Sequence, residues 1–140
     1  MIKYIKTFEG FVNEEVSTEI QNSIVIDCLE VLMQYQVYHW QVQGKGSFAK
    51  HKAFDEFTDA FKVLSDSLVE SMQGRYDIIS IQSQPTIQNI EELPVEKYTD
   101  DLLIKFEKHK EDFSEDGDLA NIIDEMIAEI TKLSYLLTLE

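Results

Sequence analysis

Five side chains in this sequence have the types and the spacing to hold a metal ion: His39, His51, Asp55, Asp66 and Glu70. Two imidazoles and three carboxylates form a mixed nitrogen and oxygen donor set that suits iron. His51 and Asp55 are four residues apart, as are Asp66 and Glu70, and on a helix such pairs share a face. Between Asp55 and Asp66 lie three full turns, so the two pairs point the same way but sit roughly 16 Å apart along the axis. A metal ligand lies about 2 Å from its ion, and paired ions lie roughly 4 Å apart. One helix therefore cannot close such a site. An antiparallel copy of the same helix from a second subunit could set His51 and Asp55 of one chain against Asp66 and Glu70 of the other.

The element that carries these residues is read as a helix from Phe48 to Gly74. Phe54, Phe57, Phe61, Leu64 and Leu68 follow three- and four-residue steps and make its core face. At about 100° per residue the four ligand candidates fall on a separate face. In a lone bundle they would point outward, and in a symmetric dimer they would point into a two-fold interface.

The remaining elements frame this helix. A first helix is expected from Thr18, with Thr18 and Gln21 as a capping box, and Ile20, Ile24, Val31, Leu32 and Tyr35 carry its apolar stripe toward His39. Gly44 and Gly46 should end it, Ser47 should cap the second helix, and Gly74 should end that one. Residues 75–98 hold Pro85 and Pro94 and read as a long connection with one short helix near 87–92. A third helix is expected from Thr99 to Phe113, then a turn over residues 114–118. The fourth helix has the cleanest seam: Leu119, Ile123, Met126, Ile130, Leu133 and Leu137. The fold expected is all-α, a ferritin-like four-helix bundle over residues 16–140 with a long crossover between helices 2 and 3. Residues 1–15 stand apart as an N-terminal tail or leader.

Composition excludes several classes. The chain has 140 residues, 44% of them apolar, enough for one domain with its own core. No apolar run is long enough to span a bilayer, and the N-terminus lacks a secretory signal pattern, so a cytoplasmic protein without membrane contact is expected. Cys28 is the only cysteine, so no internal disulfide can form, and it reads as a small buried residue of the first helix. The net charge is −15, with 27 acidic and 12 basic residues and no basic run. A nucleic-acid binder needs a basic footprint, so DNA binding is not expected, whereas cations are attracted.

The segment Tyr38-His39-Trp40-Gln41-Val42-Gln43-Gly44, followed by Phe48, His51, Phe54-Asp55-Glu56-Phe57, Asp66 and Glu70, resembles the Dps family of mini-ferritins. That family has a His-Trp at the end of its first helix, then a His, an Asp four later, an Asp eleven later and a Glu four later. All five positions are filled here. The resemblance is dense over residues 38–74 and thin elsewhere. It implies a ferroxidase with di-iron sites between subunits, His39, His51 and Asp55 coming from one chain and Asp66 and Glu70 from its partner. It also implies a homo-oligomer, a dodecameric shell built from dimers, that oxidises Fe(II) with hydrogen peroxide and stores ferric iron inside. The Glu-x-x-His motif of larger ferritins is absent.

The sequence departs from the family in places. The third helix reads as short, Tyr135 stands where the last helix often has Trp, and the basic tail that lets some members bind DNA is missing. Trp40 is read as a radical sink beside the metal or as a core residue. Glu56 and Asp59 are read as a solvated acidic face, with mineral nucleation as the alternative. His109, between Lys108 and Lys110, is expected at the surface, and the tyrosines carry no site signal of their own. Residues 1–14 are similar to the starts of many proteins of large tailed phages. That similarity frames the rival reading: a catalytically inert ferritin-like structural or interaction protein, packaged in a phage capsid.

Overall fold

Four helices and no strand make up residues 16–139, the part of the chain described by the computed structural model; the expected leader, residues 1–15, lies outside it. The helices are α1 (Thr18–Gln41), α2 (Ser47–Arg75), α3 (Val95–Asp112) and α4 (Gly117–Leu136). Helix α2 packs on α1 and α4, and α3 packs on α4 and more lightly on α1, which makes a four-helix bundle. Among the described residues no helix is long and apolar enough to cross a membrane.

The helix ends differ from the expected signals by small steps with clear causes. Ser17, one residue before the expected cap, accepts the Ile20 N–H at 3.2 Å and satisfies one of the orphan donors of the first turn. The Gln21 side chain donates to the Val16 carbonyl at 2.8 Å instead of closing a box with Thr18. Ser47 is not a cap: Gly46 holds that position at φ 78° and no side chain bonds to the helix start. Gly44 (φ 92°) and Gly46 both turn the chain in the left-handed region, where a side chain would clash with the backbone. Gly74 lies within α2, which continues to Arg75. Helix α3 begins at Val95, four residues before Thr99, directly after Pro94; a proline before the first turn gives up no N–H that the helix needs.

The link from Tyr76 to Pro94 contains no helix. Residues 87–92, expected as a short one, form only a turn, with Glu92 and Leu93 N–H donating to the Asn89 carbonyl at 2.9 and 3.0 Å. The extended chain is held instead by side chains of α1. Asn22 accepts the Gln82 N–H at 2.8 Å. Gln34 donates to the Gln88 carbonyl and accepts its N–H, at 2.8 and 2.9 Å. Gln41 accepts the Ile90 N–H at 2.7 Å and donates to the Asn89 side chain at 2.8 Å. Amide side chains, which both donate and accept, thus replace a sheet neighbour for backbone that would otherwise go unpaired. The link runs beside α1 from its start to its end and delivers α3 next to the α1–α2 turn.

The core is built from the expected seams. Phe54, Phe57, Phe61 and Leu68 are buried and Leu64 half-buried; all six seam residues of α4 are buried; Ile24, Val31 and Tyr35 of α1 are buried. Cys28 is buried, as its setting in α1 suggests. Two expectations are overturned. Trp40 is 70% exposed, so it does not pack in the core. His109 is not a surface residue: it is 4% exposed, with Nε2 2.6 Å from Asp27 Oδ2. The lysines on either side of His109 suggested an exposed position, but they project to other faces of the helix, because neighbours in sequence are about 100° apart.

Candidate metal centre

The short 42–46 turn folds the end of α1 back against the first turns of α2 and brings His39 beside His51. Their rings are stacked, with centroids 3.6 Å apart and planes inclined by 30°. Each ring faces the other residue's backbone: His39 Nδ1 lies 3.2 Å from the His51 carbonyl oxygen, and His51 Nδ1 lies 3.1 Å from that of His39. The His39 carbonyl belongs to the last turn of α1, where carbonyls lack helical partners. The Nδ1–H tautomer of His51 donates to it and so caps the helix. The same tautomer leaves Nε2 free as a ligand, with Nδ1–H fixing the ring.

Asp55, one turn beyond His51, places Oδ1 3.2 Å from His39 Nδ1. Taking one donor atom from each of His39, His51 and Asp55, all lie within 4.8 Å of one another. A divalent transition ion has bonds of about 2.1 Å, which puts neighbouring donors roughly 3.0–3.4 Å apart and opposite donors about 4.2 Å apart. The 4.8 Å limit is about half an ångström beyond that span of opposite donors. Two imidazoles and one carboxylate, with the outer side open to water, is a donor set used for Fe(II) with vacant positions left for substrate. His39 is largely covered, its side chain 15% exposed, and Asp55 is open to solvent.

Asp66 and Glu70 do not join this group. Both are exposed on the outer face of α2. The Asp66 carboxylate lies 3.5 Å from Lys62 Nζ, one turn back. They share a rigid helix with Asp55, so the distance set by 11 residues of rise stands. Glu56 and Asp59 are likewise exposed on α2.

Residues 39–137, more than two thirds of the chain, match the family described as "Family of unknown function (DUF5856)". The chain belongs to this family. The matched stretch opens at His39 and contains all five candidate residues together with α2, α3 and α4. No curated protein and no solved structure matches the chain.

Two groups of polar residues escaped the sequence reading. Between α1 and α3, Asp27 receives both His109 and Lys105, the latter at 3.5 Å, and Glu30 lies 4.0 Å from Lys105. Deeper in, Tyr35, Tyr38 and Tyr98 meet in one aromatic cluster. A signal existed for each. Asp27 and Glu30 are the only acids between Glu19 and the end of α1, and Tyr35 and Tyr38 stand three apart on one helix face. What neither signal names is the partner on α3.

Proposed function

We propose that this protein binds Fe(II) at His39, His51 and Asp55 and oxidises it with hydrogen peroxide, storing the ferric product in a shell of identical subunits. The observation that carries the reading is the convergence of two imidazoles and a carboxylate within 4.8 Å in a solvent-open position. The likeness to mini-ferritins over residues 38–74 supplies the oxidant and the shell. The path of the Tyr76–Pro94 link beside α1 supports a ferritin-like crossover.

The chemistry follows from the donors. Neutral imidazoles bind Fe(II) well, and the hard carboxylate of Asp55 favours Fe(III) as charge builds. Three protein donors leave positions for water, peroxide and further ligands. Asp66 and Glu70 of a second copy would fill some of them and hold a second ion. A two-fold contact is supported by exposed apolar side chains on the two helices that carry the donors. Leu29, Met33 and Trp40 are exposed on α1 at helical spacing, and Phe48 and Val63 are exposed on α2. Apolar groups of this number left in water mark an interaction surface, and a face that meets its own copy would cover both helices at once.

The test is an Fe(II) titration of the full chain with and without peroxide, followed at the ferric absorbance. Wild-type protein should bind Fe(II) and oxidise it rapidly with peroxide. His51→Ala and Asp55→Ala should each lose fast oxidation. Stoichiometric Fe(II) binding without oxidation by peroxide would refute the ferroxidase reading and favour the inert structural alternative. Unchanged rates in both variants would refute the ligand assignment.

A further inference from the structure

The outer face of α2 is acidic, and charge alone sets it against its own copy. Its exposed side chains include Asp55, Glu56, Asp59, Asp66 and Glu70 against Lys52 and Lys62. A shared metal centre sets His51 opposite Glu70 and Asp55 opposite Asp66 in two antiparallel copies of the helix. Asp55 and Asp66 are like charges, and a two-fold contact brings them together twice. While no ion stands between them, another part of the face has to offset that repulsion.

The same register supplies such a place. Four residues past Asp55 stands Asp59, and four residues before Asp66 stands Lys62, so Asp59 of one copy comes opposite Lys62 of the other. At about 100° per residue the two lie about 30° to either side of the midline of the donor stripe. The two-fold axis crosses α2 between residues 60 and 61, so each lies about 2 Å from it along the helix. The two reciprocal pairs therefore form one patch of alternating charges around the axis. No other facing positions on α2 set a lysine against a carboxylate: Lys50 meets Ser71, Lys52 meets Val69 and Glu56 meets Ser65.

Within one chain Lys62 is turned to Asp66, with Nζ 3.5 Å from Oδ2, and Asp59 and Lys62 are both exposed. An ion at the shared centre claims the Asp66 carboxylate and leaves Lys62 in need of another anion. We propose that two copies of this chain meet antiparallel along α2 through reciprocal Lys62–Asp59 ion pairs across the two-fold axis. Lys62 exchanges Asp66 of its own chain for Asp59 of the second copy as the centre fills. The inference rests on the shared-centre reading above and names the charges that select its partner, a second copy of this chain in one register.

The experiment is sedimentation velocity of the full chain over a range of concentrations, metal-free and with Zn(II), which takes imidazole and carboxylate ligands without redox chemistry. Wild type should associate, and more tightly with Zn(II). Asp59→Lys alone sets lysine against lysine at the axis, and Lys62→Asp alone sets acid against acid. Each metal-free variant should associate about 30-fold more weakly than wild type. An equimolar mixture of the two restores opposite charges at both places. It should form mixed assemblies, read by two affinity tags, with at least the wild-type affinity. Lys52→Asp, which faces Val69 in this register, is the control and should show no such preference for Asp59→Lys. Single variants that associate as wild type does, or a mixture no tighter than either variant alone, overturn the ion pairs. Equal rescue by Lys52→Asp overturns the register. Rescue in the mixture, with no Fe(II) oxidation by wild type, overturns the iron chemistry above and leaves the contact standing. Wild type that stays monomeric in both conditions overturns the contact and the shared centre together.

Discussion

Mixing two inactive variants tests whether the metal centre is shared between chains. His51→Ala removes a donor from the cluster that each chain builds, and Asp66→Ala removes one that only a partner could lend. Asp55 and Asp66 sit on one continuous helix, α2, about 16 Å apart along its axis. A ligand must lie about 2 Å from the ion, so no chain's Asp66 can serve its own His51. In a symmetric dimer each site pairs His51 of one subunit with Asp66 of the other. A dimer of either variant alone then has two broken sites. A mixed dimer has one site with both defects and one with neither, so purified mixed dimers should recover about half of the wild-type rate. Random assembly makes half of all dimers mixed, so an unfractionated mixture should recover about one quarter. The assay is the initial rate of ferric absorbance with peroxide, on assemblies whose mixing is verified by two affinity tags. No recovery in verified mixed assemblies would refute the intersubunit geometry, and full activity in Asp66→Ala alone would refute its role as a ligand.

Other outcomes can be checked more simply. His109→Ala removes the 2.6 Å partner of the half-buried Asp27 carboxylate and leaves it with Lys105 at 3.5 Å. It should cost about 3 kcal/mol and lower Tm by roughly 10 °C; a loss below about 1 kcal/mol in chemical denaturation would show that the pair contributes little. Burial pushes the Cys28 thiol up to about 12 from an ordinary 9.0. The unfolded chain therefore ionises first: the Cys28 contribution is fully present below pH 9 and is lost as pH rises from there toward 12. Unfolding midpoints of wild type and Cys28→Ala should converge or cross over this range, and the native thiol should resist a thiol-reactive dye until the protein unfolds. DNA should not be retained in a gel shift at physiological salt, given the net charge of −15. Light scattering should show an assembly of about twelve subunits by analogy with mini-ferritins, and a stable monomer at micromolar concentration would count against a shared site.

Much of the bundle was legible along the chain because its signals are local. The α4 seam from Leu119 to Leu137 and the phenylalanines of α2 repeat at helical spacing, and a helix that buries one stripe has few other places to put it. The outward direction of Asp55, Asp66 and Glu70 follows from the same periodicity, since residues opposite Phe57 and Phe61 cannot also face the core. Helix ends were legible only to within a few residues. Ser17 and Thr18 can both cap, and which one does depends on where the preceding chain arrives, while Pro94 tolerates a helix start that its own ring does not announce.

What the sequence by itself determined was the four helices, their buried stripes and a donor set spaced so that His51 and Asp55 share a face. Only the tertiary structure decided which donors meet: the glycine turn at 44–46 stacks His39 on His51, while the rigidity of α2 keeps Asp66 and Glu70 away within one chain. It also decided the fate of polar residues whose partners lie far off in sequence. His109 is buried because Asp27, 82 residues earlier, meets it across α1 and α3. Tyr98 reaches Glu30 for the same reason, and Gln34 and Gln41 are committed to a link that no local pattern could pair. Periodicity reports which way a side chain points, but a hydrogen bond or an ion pair needs two groups at one place. That coincidence is set by the packing of whole helices and not by either segment alone.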